Sequence, residues 1–288
     1  MILRQALQSA AQTLCGAGVP DAFIEAELLL GHVVGMSRTQ LYTEPDRSLT
    51  SVETEHLHSV IQRRIDREPA AYILGHCEFY GIDFCVEHHT FIPRPETELL
   101  VETAVKLAHR MSHWERQIAI ADIGTGCGAI AISLALALPH AKVYATDVSA
   151  SALRVAETNC RRHGVLGQVE LLPGNLLEPL PQTVDMILAN PPYIKTGDLN
   201  HLSPEIRCFE PGVALAGGED GLDRIREMLE QVPGKLNQGG CLLLEIGQGQ
   251  AEMVTSLLAM HFPQAWIELI SDLGGIERVV QISPAESA

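Results

Sequence analysis

The hydrophobic pattern of the first 75 residues predicts helices. Apolar side chains recur every three or four positions through residues 2–15, which is typical of one face of an amphipathic helix. Asp21 is a candidate cap for a second helix that extends to Val34. Thr50 begins the sequence Thr-Ser-Val-Glu, which resembles a capping box and predicts a further helix to about Arg67. This part of the chain is therefore predicted to be a small helical bundle.

Residues 72–92 have a different pattern, because they are rich in aromatic and β-branched residues and contain Gly75 and Gly81. This composition predicts short strands or a hairpin that connects the bundle to the rest of the chain. Pro95 then suits the first turn of a new helix, since proline is favoured at that position.

From residue 117 onwards, apolar strand-like runs alternate with helical patterns. The predicted strands are 117–123, 141–146, 168–172, 184–189 and 241–246, and the predicted helices are 129–138, 149–163, 219–232 and 249–260. Two last runs, 265–271 and 276–282, are joined by Asp-Leu-Gly-Gly and predict an antiparallel pair. Alternating strands and helices indicate an α/β fold with a mostly parallel sheet that is covered on both faces.

The charge of the chain disfavours a nucleic-acid-binding protein. The 288 residues carry a net charge of −16, and acidic residues outnumber basic ones both in the first 90 residues and in the remainder. A protein that grips a phosphate backbone usually has a basic face, and neither part of this chain predicts one.

The cysteines and the hydropathy indicate a cytoplasmic protein without a metal site. Seven cysteines are scattered without a Cys-x-x-Cys pair, which disfavours structural zinc and suits free thiols in a reducing compartment. The twelve histidines have no supporting acidic or cysteine cluster. We expect no signal peptide, because the first 20 residues are amphipathic and not a charged start followed by a long apolar run. We also expect no membrane span, because no apolar run reaches the roughly 18 to 20 residues that a span needs.

A glycine-rich loop follows the strand 117–123. It comprises Asp122-Ile123-Gly124-Thr125-Gly126-Cys127-Gly128, and a helix is predicted from Ala129. Glycines at a strand-to-helix turn allow a ligand to approach the backbone, and the start of a helix favours an anionic group. The next strand ends at Asp147, whose carboxylate can accept hydrogen bonds from two ribose hydroxyls.

Two cofactors compete for this loop. The pattern Gly124-x-Gly126-x-x-Ala129 satisfies the loose dinucleotide motif, so NAD is one candidate. Three features favour S-adenosylmethionine: the glycines at alternate positions, the terminal antiparallel strand pair, and Asp122, which could bind the amino group of the cofactor.

The strand 184–189 ends in Asn190, Pro191, Pro192 and Tyr193. Two consecutive prolines end strand pairing and fix the backbone. The Asn190 side-chain oxygen and the Pro191 carbonyl could accept hydrogen bonds from a planar NH2 group, and the Tyr193 ring could stack on that group. Such rigid acceptors would help an amide or base nitrogen to attack a methyl donor. The sequence thus indicates an amino-methyltransferase site.

These motifs resemble those of the HemK/PrmC family, the protein-glutamine methyltransferases that modify peptide chain release factors. The likeness covers nearly the whole chain. It rests on Phe91-Ile92-Pro93-Arg94-Pro95-Glu96-Thr97-Glu98, the glycine loop, Asp147, Asn190-Pro191-Pro192-Tyr193, Glu210-Pro211 with Leu215, Asp220-Gly221-Leu222, Glu245-Ile246-Gly247, and Asp272-Leu273-Gly274-Gly275 with Arg278. The first of these segments is the most specific, because base methyltransferases do not generally carry it.

The resemblance implies a fold, a reaction and a site. The fold is a Rossmann-like S-adenosylmethionine-dependent methyltransferase with seven strands, the last of them antiparallel. The substrate is the glutamine of the Gly-Gly-Gln (GGQ) tripeptide in a release factor, which Asn190 to Tyr193 hold. The implied cofactor contacts are Gly124, Thr125, Gly126, Cys127, Gly128, Asp147 and Asn190. Where relatives often have an aspartate and an aromatic residue near the adenine, this chain has Asn175 and Leu176.

We expect three regions: an N-terminal bundle at 1–75 that recognises the substrate, a hairpin connector at 76–92, and a methyltransferase domain at 93–288. The expected protein is a monomer whose partners are release factors, with no membrane or direct nucleic-acid contact. A ribosomal-protein glutamine methyltransferase is the close alternative. A nucleic-acid amino-methyltransferase, an NAD-dependent dehydrogenase and a non-catalytic binding module are weaker ones.

Three further residues have expected structural roles, and Cys127 has an expected contact through its backbone only. Arg94 could contact the cofactor, but locking the hairpin is favoured. Glu210 is expected to order the loop after Tyr193, and Glu245 is expected to be structural. Cys127 is not expected to be a nucleophile, because only its backbone needs to contact a ligand.

Overall fold

The computed structural model describes residues 1–110 and 117–283. The chain divides into two compact units. One comprises Met1–His76 together with Ser203–Phe209, and the other comprises Cys77–Leu202 together with Glu210–Ala288.

The first unit is helical, as its hydrophobic pattern predicts. Its core is formed by apolar side chains at helical spacing, among them the fully buried Leu3, Leu14, Leu29 and Leu30. Its first five helices are α1 (Leu3–Gly16), α2 (Ala22–Val34), α3 (Arg38–Thr43), α4 (Ser51–Ile65) and α5 (Ala70–Leu74). The short helices α3 and α5 were not predicted.

The two predicted caps have different outcomes. Thr50 forms the expected capping box with Glu53, whose carboxylate accepts the Thr50 backbone N–H at 2.8 Å. Asp21 precedes α2 but has a φ of 50°, and its side chain bonds no described backbone N–H of that helix. The predicted side-chain cap at Asp21 is therefore wrong.

The segment Ser203–Phe209 belongs to the first unit through an ion-pair cluster. Glu205 lies 3.1 Å from Arg64, which is in α4, and 3.0 Å from Arg67, which follows that helix. Arg64 is only 3% exposed and also pairs with Glu25 of α2. Because Arg64 is buried, removing its acidic partners would leave an uncompensated charge.

The predicted hairpin is present as β1 (His76–Phe79) and β2 (Ile82–Cys85). The strand-like pattern predicted from residue 72 is wrong for its first residues, because Tyr72 and Ile73 lie in α5. Pro69 precedes that helix and Gly75 ends it in the left-handed conformation, so the two residues bound a single helical turn or slightly more.

The second unit contains the alternating strands and helices. These are α6 (Glu98–Arg110), β3 (Ala119–Ile123), α7 (Ala129–Ala137), β4 (Lys142–Asp147), α8 (Ala150–Arg162), β5 (Val169–Pro173), β6 (Val184–Ala189), α10 (Asp223–Gln231), β7 (Leu236–Glu245), α11 (Ala251–His261), β8 (Trp266–Ser271) and β9 (Glu277–Ser283), while α9 (Pro204–Phe209) belongs to the first unit. Short 3-10 helices occupy Pro95–Thr97, Thr196–His201 and Gly212–Ala214.

Seven strands form one sheet in the order β5-β4-β3-β6-β7-β9-β8. The last strand, β9, pairs antiparallel with both β7 and β8, and the remaining described pairings are parallel. The predicted α/β fold and its reversed last strand are confirmed. Alternate strand residues face α10 and α11 in one core cluster, whereas α6 and α7 also contact the sheet.

Two predicted boundaries are wrong. The helix expected at 219–232 begins only at Asp223, because Gly221 has a φ of 84° and the Leu222 N–H bonds the Asp220 side chain at 3.1 Å. The strand expected at 241–246 starts earlier, at Leu236.

Within residues 1–110 and 117–283, none of the helices is both long and apolar enough to cross a bilayer.

Candidate active site

The predicted site residues meet at one edge of the sheet. Ile123 pairs with Ala189, and Ala189 pairs in turn with Leu244, so three neighbouring strands end in register. The glycine loop directly follows β3, Asn190 directly follows β6, and Glu245 is the last residue of β7. Asp147 ends the strand on the other side of β3. The carboxyl edge of an open parallel sheet is the usual place for a ligand in such folds.

The glycine loop has the backbone conformation that its sequence predicts. Gly124, Gly126 and Gly128 have backbone φ values of 73°, 57° and 87°, which residues other than glycine rarely adopt. A Cβ at Gly124 or Gly126 would meet no atom of the described residues within 4 Å, so this side of the loop is open. The loop can therefore receive a ligand against its backbone.

Asp122 organises the loop from beneath. Its Oδ2 accepts the Thr125 hydroxyl at 2.6 Å and the Ala131 N–H at 3.1 Å. The residue is fully buried, and burial raises the pKa of Asp122 to about 7. Its Oδ1 has no hydrogen-bond partner among the described side chains and backbone, so one acceptor remains for the predicted cofactor contact.

Asp147 links the loop to the start of α8. One carboxylate oxygen accepts the Gly126 N–H at 2.9 Å, and the other accepts the Ser149 N–H at 2.8 Å. Each oxygen keeps a second lone pair, so the carboxylate can still bind two hydroxyl groups. The geometry is compatible with the predicted ribose contact.

Cys127 is held as a buried structural residue. Burial raises the pKa of its thiol to about 12, so the thiolate required of a nucleophile is not formed near neutral pH. Asn159 of α8 donates to the Cys127 carbonyl at 2.9 Å and also bonds the backbone of Cys85 in the hairpin. This buried asparagine fixes the loop against α8, and the hydrophobic pattern gave no sign of it.

Asn175 and Leu176 follow β5 at the same edge of the sheet. The Asn175 amide nitrogen donates to Glu227 at 2.6 Å, which leaves the amide oxygen as its remaining polar atom. Leu176 has a φ of 50° and packs partly buried against the core, while its carbonyl accepts the Thr146 hydroxyl. An acceptor and an apolar side chain are thus available where adenine contacts are predicted.

Asn190 is oriented by two residues on other elements. Its side-chain nitrogen donates to the Thr97 hydroxyl oxygen at 3.1 Å. The Glu245 carboxyl lies within hydrogen-bonding reach of both Thr97 and Asn190. Glu245 is 3% exposed, its Oε2 has no partner in the described part of the chain, and burial raises the pKa of Glu245 to about 7.

The backbone after Asn190 is packed against glycines and a glutamine. The Gln250 side chain donates to the Tyr193 carbonyl at 3.2 Å and accepts the Gly247 N–H at 2.8 Å. A Cβ at Gly217 would come within 2.7 Å of the Pro192 carbonyl oxygen, and one at Gly221 within 2.3 Å of the Tyr193 carbonyl oxygen. The loop is therefore rigid, as its two prolines predict.

Tyr193 is half-buried, and burial raises its pKa to about 12. The phenol thus stays neutral near pH 7 and offers a ring rather than a base.

Arg94 pairs with Glu210 and lies 4.5 Å from the centre of the Phe91 ring. These contacts tie Arg94 to Glu210 and Phe91 in the loops around the site, and locking of the hairpin by Arg94 stays a prediction.

The residues missed by sequence analysis share one property: each acts through a contact between distant segments. Gln250, Asn159 and Gly217 are examples, and the role of Thr97 was also not foreseen, although it lies in the segment around Arg94. These contacts join segments that are far apart in the chain, so no local sequence pattern predicts them.

Comparison with known families identifies both parts of the chain. Residues 5–75 match a family described as "PrmC N-terminal domain", and residues 96–203 match one described as "Methyltransferase small domain".

Curated relatives resemble the chain over nearly its full length. A release factor glutamine methyltransferase of Geobacter sulfurreducens is 42% identical over 281 residues, which are 96% of this chain and 95% of the relative. A release factor glutamine methyltransferase of Moorella thermoacetica is 43% identical over 279 residues, which are 96% of this chain and 97% of the relative.

Among solved structures, a methyltransferase from Pyrococcus furiosus has the same fold. It is 19% identical, covers 77% of this chain and 97% of its own, and superposes with a TM-score of 0.52.

Proposed function

This chain belongs to the release factor glutamine methyltransferase family, and we propose from that premise that it methylates the GGQ glutamine of peptide chain release factors. The methyl group would be transferred from S-adenosylmethionine to the side-chain amide nitrogen. The observation that carries this proposal is the fixed amide of Asn190, which lies at the sheet edge beside an open glycine loop.

The residues at the loop fit S-adenosylmethionine. The backbone of Gly124 and Gly126 is open to a ligand, Asp147 retains lone pairs for ribose hydroxyls, and Asp122 has a buried oxygen without a described partner. Asn175 offers an acceptor for an adenine amino group. When bound, the cofactor supplies an electrophilic methyl group on its sulfonium sulfur.

An amide nitrogen is a poor nucleophile because its lone pair is delocalised into the carbonyl group. The Asn190 oxygen and the Pro191 carbonyl can each accept one of its two N–H bonds and so favour a pyramidal nitrogen. The ring of Tyr193 can stack on the planar amide. With the cofactor bound, the nitrogen lone pair would form the new N–C bond as the C–S bond breaks, which would leave the cofactor sulfur as a neutral thioether, and the nitrogen would release one proton to water. Rigid acceptors lower the barrier because they need no reorganisation.

We also propose that the N-terminal unit recognises the release factor. Its helix α2 exposes Phe23, Ile24 and Leu28, which are 51%, 50% and 48% exposed. Exposed apolar side chains that lie close on one helix are typical of a protein-binding surface. This role supports assigning residues 1–75 to recognition, 76–92 to the hairpin connector and 93–288 to catalysis.

The proposed enzyme works in the cytoplasm as a monomer and does not require nucleic acid. All seven cysteines lie within the described residues and are free thiols, which suits a reducing compartment. The net charge of −16 supports a protein rather than a nucleic-acid substrate.

The test is a competition between three classes of substrate. Purified protein would be incubated with labelled S-adenosylmethionine and equal amounts of a release factor, ribosomal proteins or nucleic acid. We expect methyl transfer to the release factor and its loss when the GGQ glutamine is replaced by alanine. Transfer to ribosomal proteins or nucleic acid instead would overturn the proposed substrate.

A further inference from the structure

The side chain of Asn190 faces a choice between two orientations. An asparagine amide has nearly the same shape after a half-turn about its last bond, but its oxygen and nitrogen are then exchanged. Only the oxygen can accept an N–H of the target glutamine. The nitrogen in that place would set two donors against each other, so the proposed reaction requires one orientation.

Thr97 alone cannot select that orientation. Its hydroxyl lies 3.1 Å from the Asn190 nitrogen. A hydroxyl can donate or accept, so it is compatible with either end of the amide. A second group is needed that accepts the hydroxyl proton and leaves the oxygen of Thr97 as an acceptor.

Glu245 is that second group. Sheet register pairs Ala189 with Leu244. This pairing brings Asn190, which follows β6, next to Glu245, which is the last residue of β7. Thr97 and Asn190 both lie within hydrogen-bonding reach of the Glu245 carboxyl, and both contacts favour its charged form. A carboxylate only accepts hydrogen bonds, so the proton of Thr97 points to it.

We propose that Thr97 and Glu245 are positioning residues that fix the Asn190 amide with its oxygen towards the target glutamine. The inference rests on the proposed function, because only a target that donates an N–H, as the glutamine amide does, requires an acceptor at that place. The Glu245 carboxylate accepts the hydroxyl proton of Thr97, and the oxygen of Thr97 accepts the N–H of Asn190.

Stability alone does not explain Glu245. The residue is 3% exposed, and its Oε2 has no hydrogen-bond partner within the described residues. A buried carboxyl with an unsatisfied oxygen is unfavourable for folding, and an apolar side chain of similar size would be less so. A role in orienting Asn190 accounts for an acidic residue at this position.

The orientation depends on the charge of Glu245. Burial raises its pKa to about 7, Arg278 and the contacts with Thr97 and Asn190 oppose that shift, and Glu96 adds to it. The neighbouring Tyr193 stays neutral near pH 7 because its pKa is raised to about 12. A protonated Glu245 would donate to Thr97, free the hydroxyl proton and allow the amide to turn. The rate is therefore expected to rise with pH, with a midpoint near the pKa of Glu245.

The test compares Thr97→Val, Thr97→Ser and Glu245→Gln with the wild-type enzyme on a release factor. We expect kcat to fall about 10- to 100-fold in Thr97→Val and Glu245→Gln, as for other outer hydrogen-bond partners of an active-site group. Thr97→Ser keeps the hydroxyl and should restore most of the rate. The affinity for S-adenosylmethionine, measured by calorimetry, should change little in all three variants.

The pH profile of kcat/KM separates positioning from a structural role. The rising limb near pH 7 should be weaker in Glu245→Gln than in the wild type, because the amide does not titrate, whereas Asp122, whose pKa is also raised to about 7, is present in both enzymes. A folded Thr97→Val enzyme with wild-type kcat, or a Glu245→Gln enzyme whose pH profile matches that of the wild type, would overturn the inference. If the wild-type enzyme methylated no glutamine, the proposed function itself would fail.

Discussion

At Asn190, a neutral amide has to accept a hydrogen bond from another amide. The acceptor is useful only if its position is fixed before the reaction, and the contacts with Thr97 and the two following prolines supply that rigidity. The residue type could be predicted from the sequence, because the segment Asn-Pro-Pro-Tyr follows a buried strand. Its partners could not, since Thr97 is 93 residues away in the chain.

Asn190→Ala should lower kcat by a factor of about 100 or more, because it removes a fixed hydrogen-bond partner of the reacting group. The measurement is steady-state methyl transfer to a release factor. Thermal unfolding of the same sample provides the control, and we expect only a small change there because Asn190 is not fully buried. A folded variant with near-normal turnover would contradict the role of Asn190.

Glu245 should also make the free energy of unfolding depend on pH. Its pKa is about 7 in the folded protein and about 4.3 in an unfolded chain, so the folded state binds the proton more tightly. The resulting stabilisation of the folded state is complete at pH values below the pKa of the unfolded chain, and it is lost as the pH rises through 7. Between pH 5 and pH 8 this single group should lower the free energy of unfolding by about 2 to 3 kcal/mol.

The measurement is urea unfolding of wild-type and Glu245→Gln protein at the two pH values. The difference between pH 5 and pH 8 should be smaller in the variant, because the amide does not titrate. Asp122, whose pKa is also raised, is present in both proteins and cancels in this comparison. Equal pH dependence in the two proteins would show that Glu245 is ionised at its ordinary pKa.

At the scale of elements, the loop after β6 is held in place by close backbone packing. Gly217 has no room for a side chain, because a Cβ would lie 2.7 Å from the Pro192 carbonyl oxygen and 2.8 Å from the Tyr193 Cα. Gly197, in the 3-10 helix that follows, is a matched control because a Cβ there would meet no described atom within 4 Å.

Gly217→Ala should therefore displace the backbone that carries Pro192 and Tyr193, with a fall in kcat of roughly 10- to 100-fold. Gly197→Ala should stay within a few-fold of the wild-type rate. Both are measured as methyl transfer at saturating cofactor. If Gly217→Ala were as active as Gly197→Ala, the packing of the loop would not matter for the reaction.

The long elements could be predicted because their apolar periodicity matches burial. Strand β6 was predicted with its observed ends, and helices α1, α7 and α8 within a residue or so. The helices α3, α5 and α9 were missed because each spans only five or six residues. Such short helices are not stable by themselves and form through tertiary contacts, which a local pattern does not contain.

Site prediction had the same limit. The loops at the ends of β3, β4 and β6 were found because glycines, an aspartate and prolines interrupt apolar runs. Glu245 was assigned only a structural role, because its proximity to Asn190 follows from the order and register of β6 and β7. Sheet order is a property of the assembled fold and not of any one segment.

For the whole molecule, substrate recognition is best tested by surface substitution. Removing residues 1–75 would also remove Arg64 and Arg67, with which Glu205 forms ion pairs. This would disturb a segment that follows the active-site loop in the chain. The double substitution of Phe23 and Ile24 by serine avoids that damage, because both side chains are exposed. Val52→Ser is a matched control, since Val52 is an exposed apolar residue of α4.

We expect the double variant to raise the KM for an intact release factor about tenfold, the effect of losing apolar anchors at an interface. The KM for a short peptide that contains GGQ should not change, because a peptide reaches only the catalytic site. Val52→Ser should behave as wild type with both substrates. An unchanged KM for the intact release factor would remove the proposed role of α2.

The central claim is that the whole chain acts on one glutamine of a release factor. The most direct test is fragmentation mass spectrometry of the GGQ peptide after incubation of the release factor with S-adenosylmethionine and purified enzyme. We expect one added methyl group on the side-chain nitrogen of that glutamine, and none with Asn190→Ala. An unmodified glutamine, with cofactor binding confirmed by calorimetry, would contradict it.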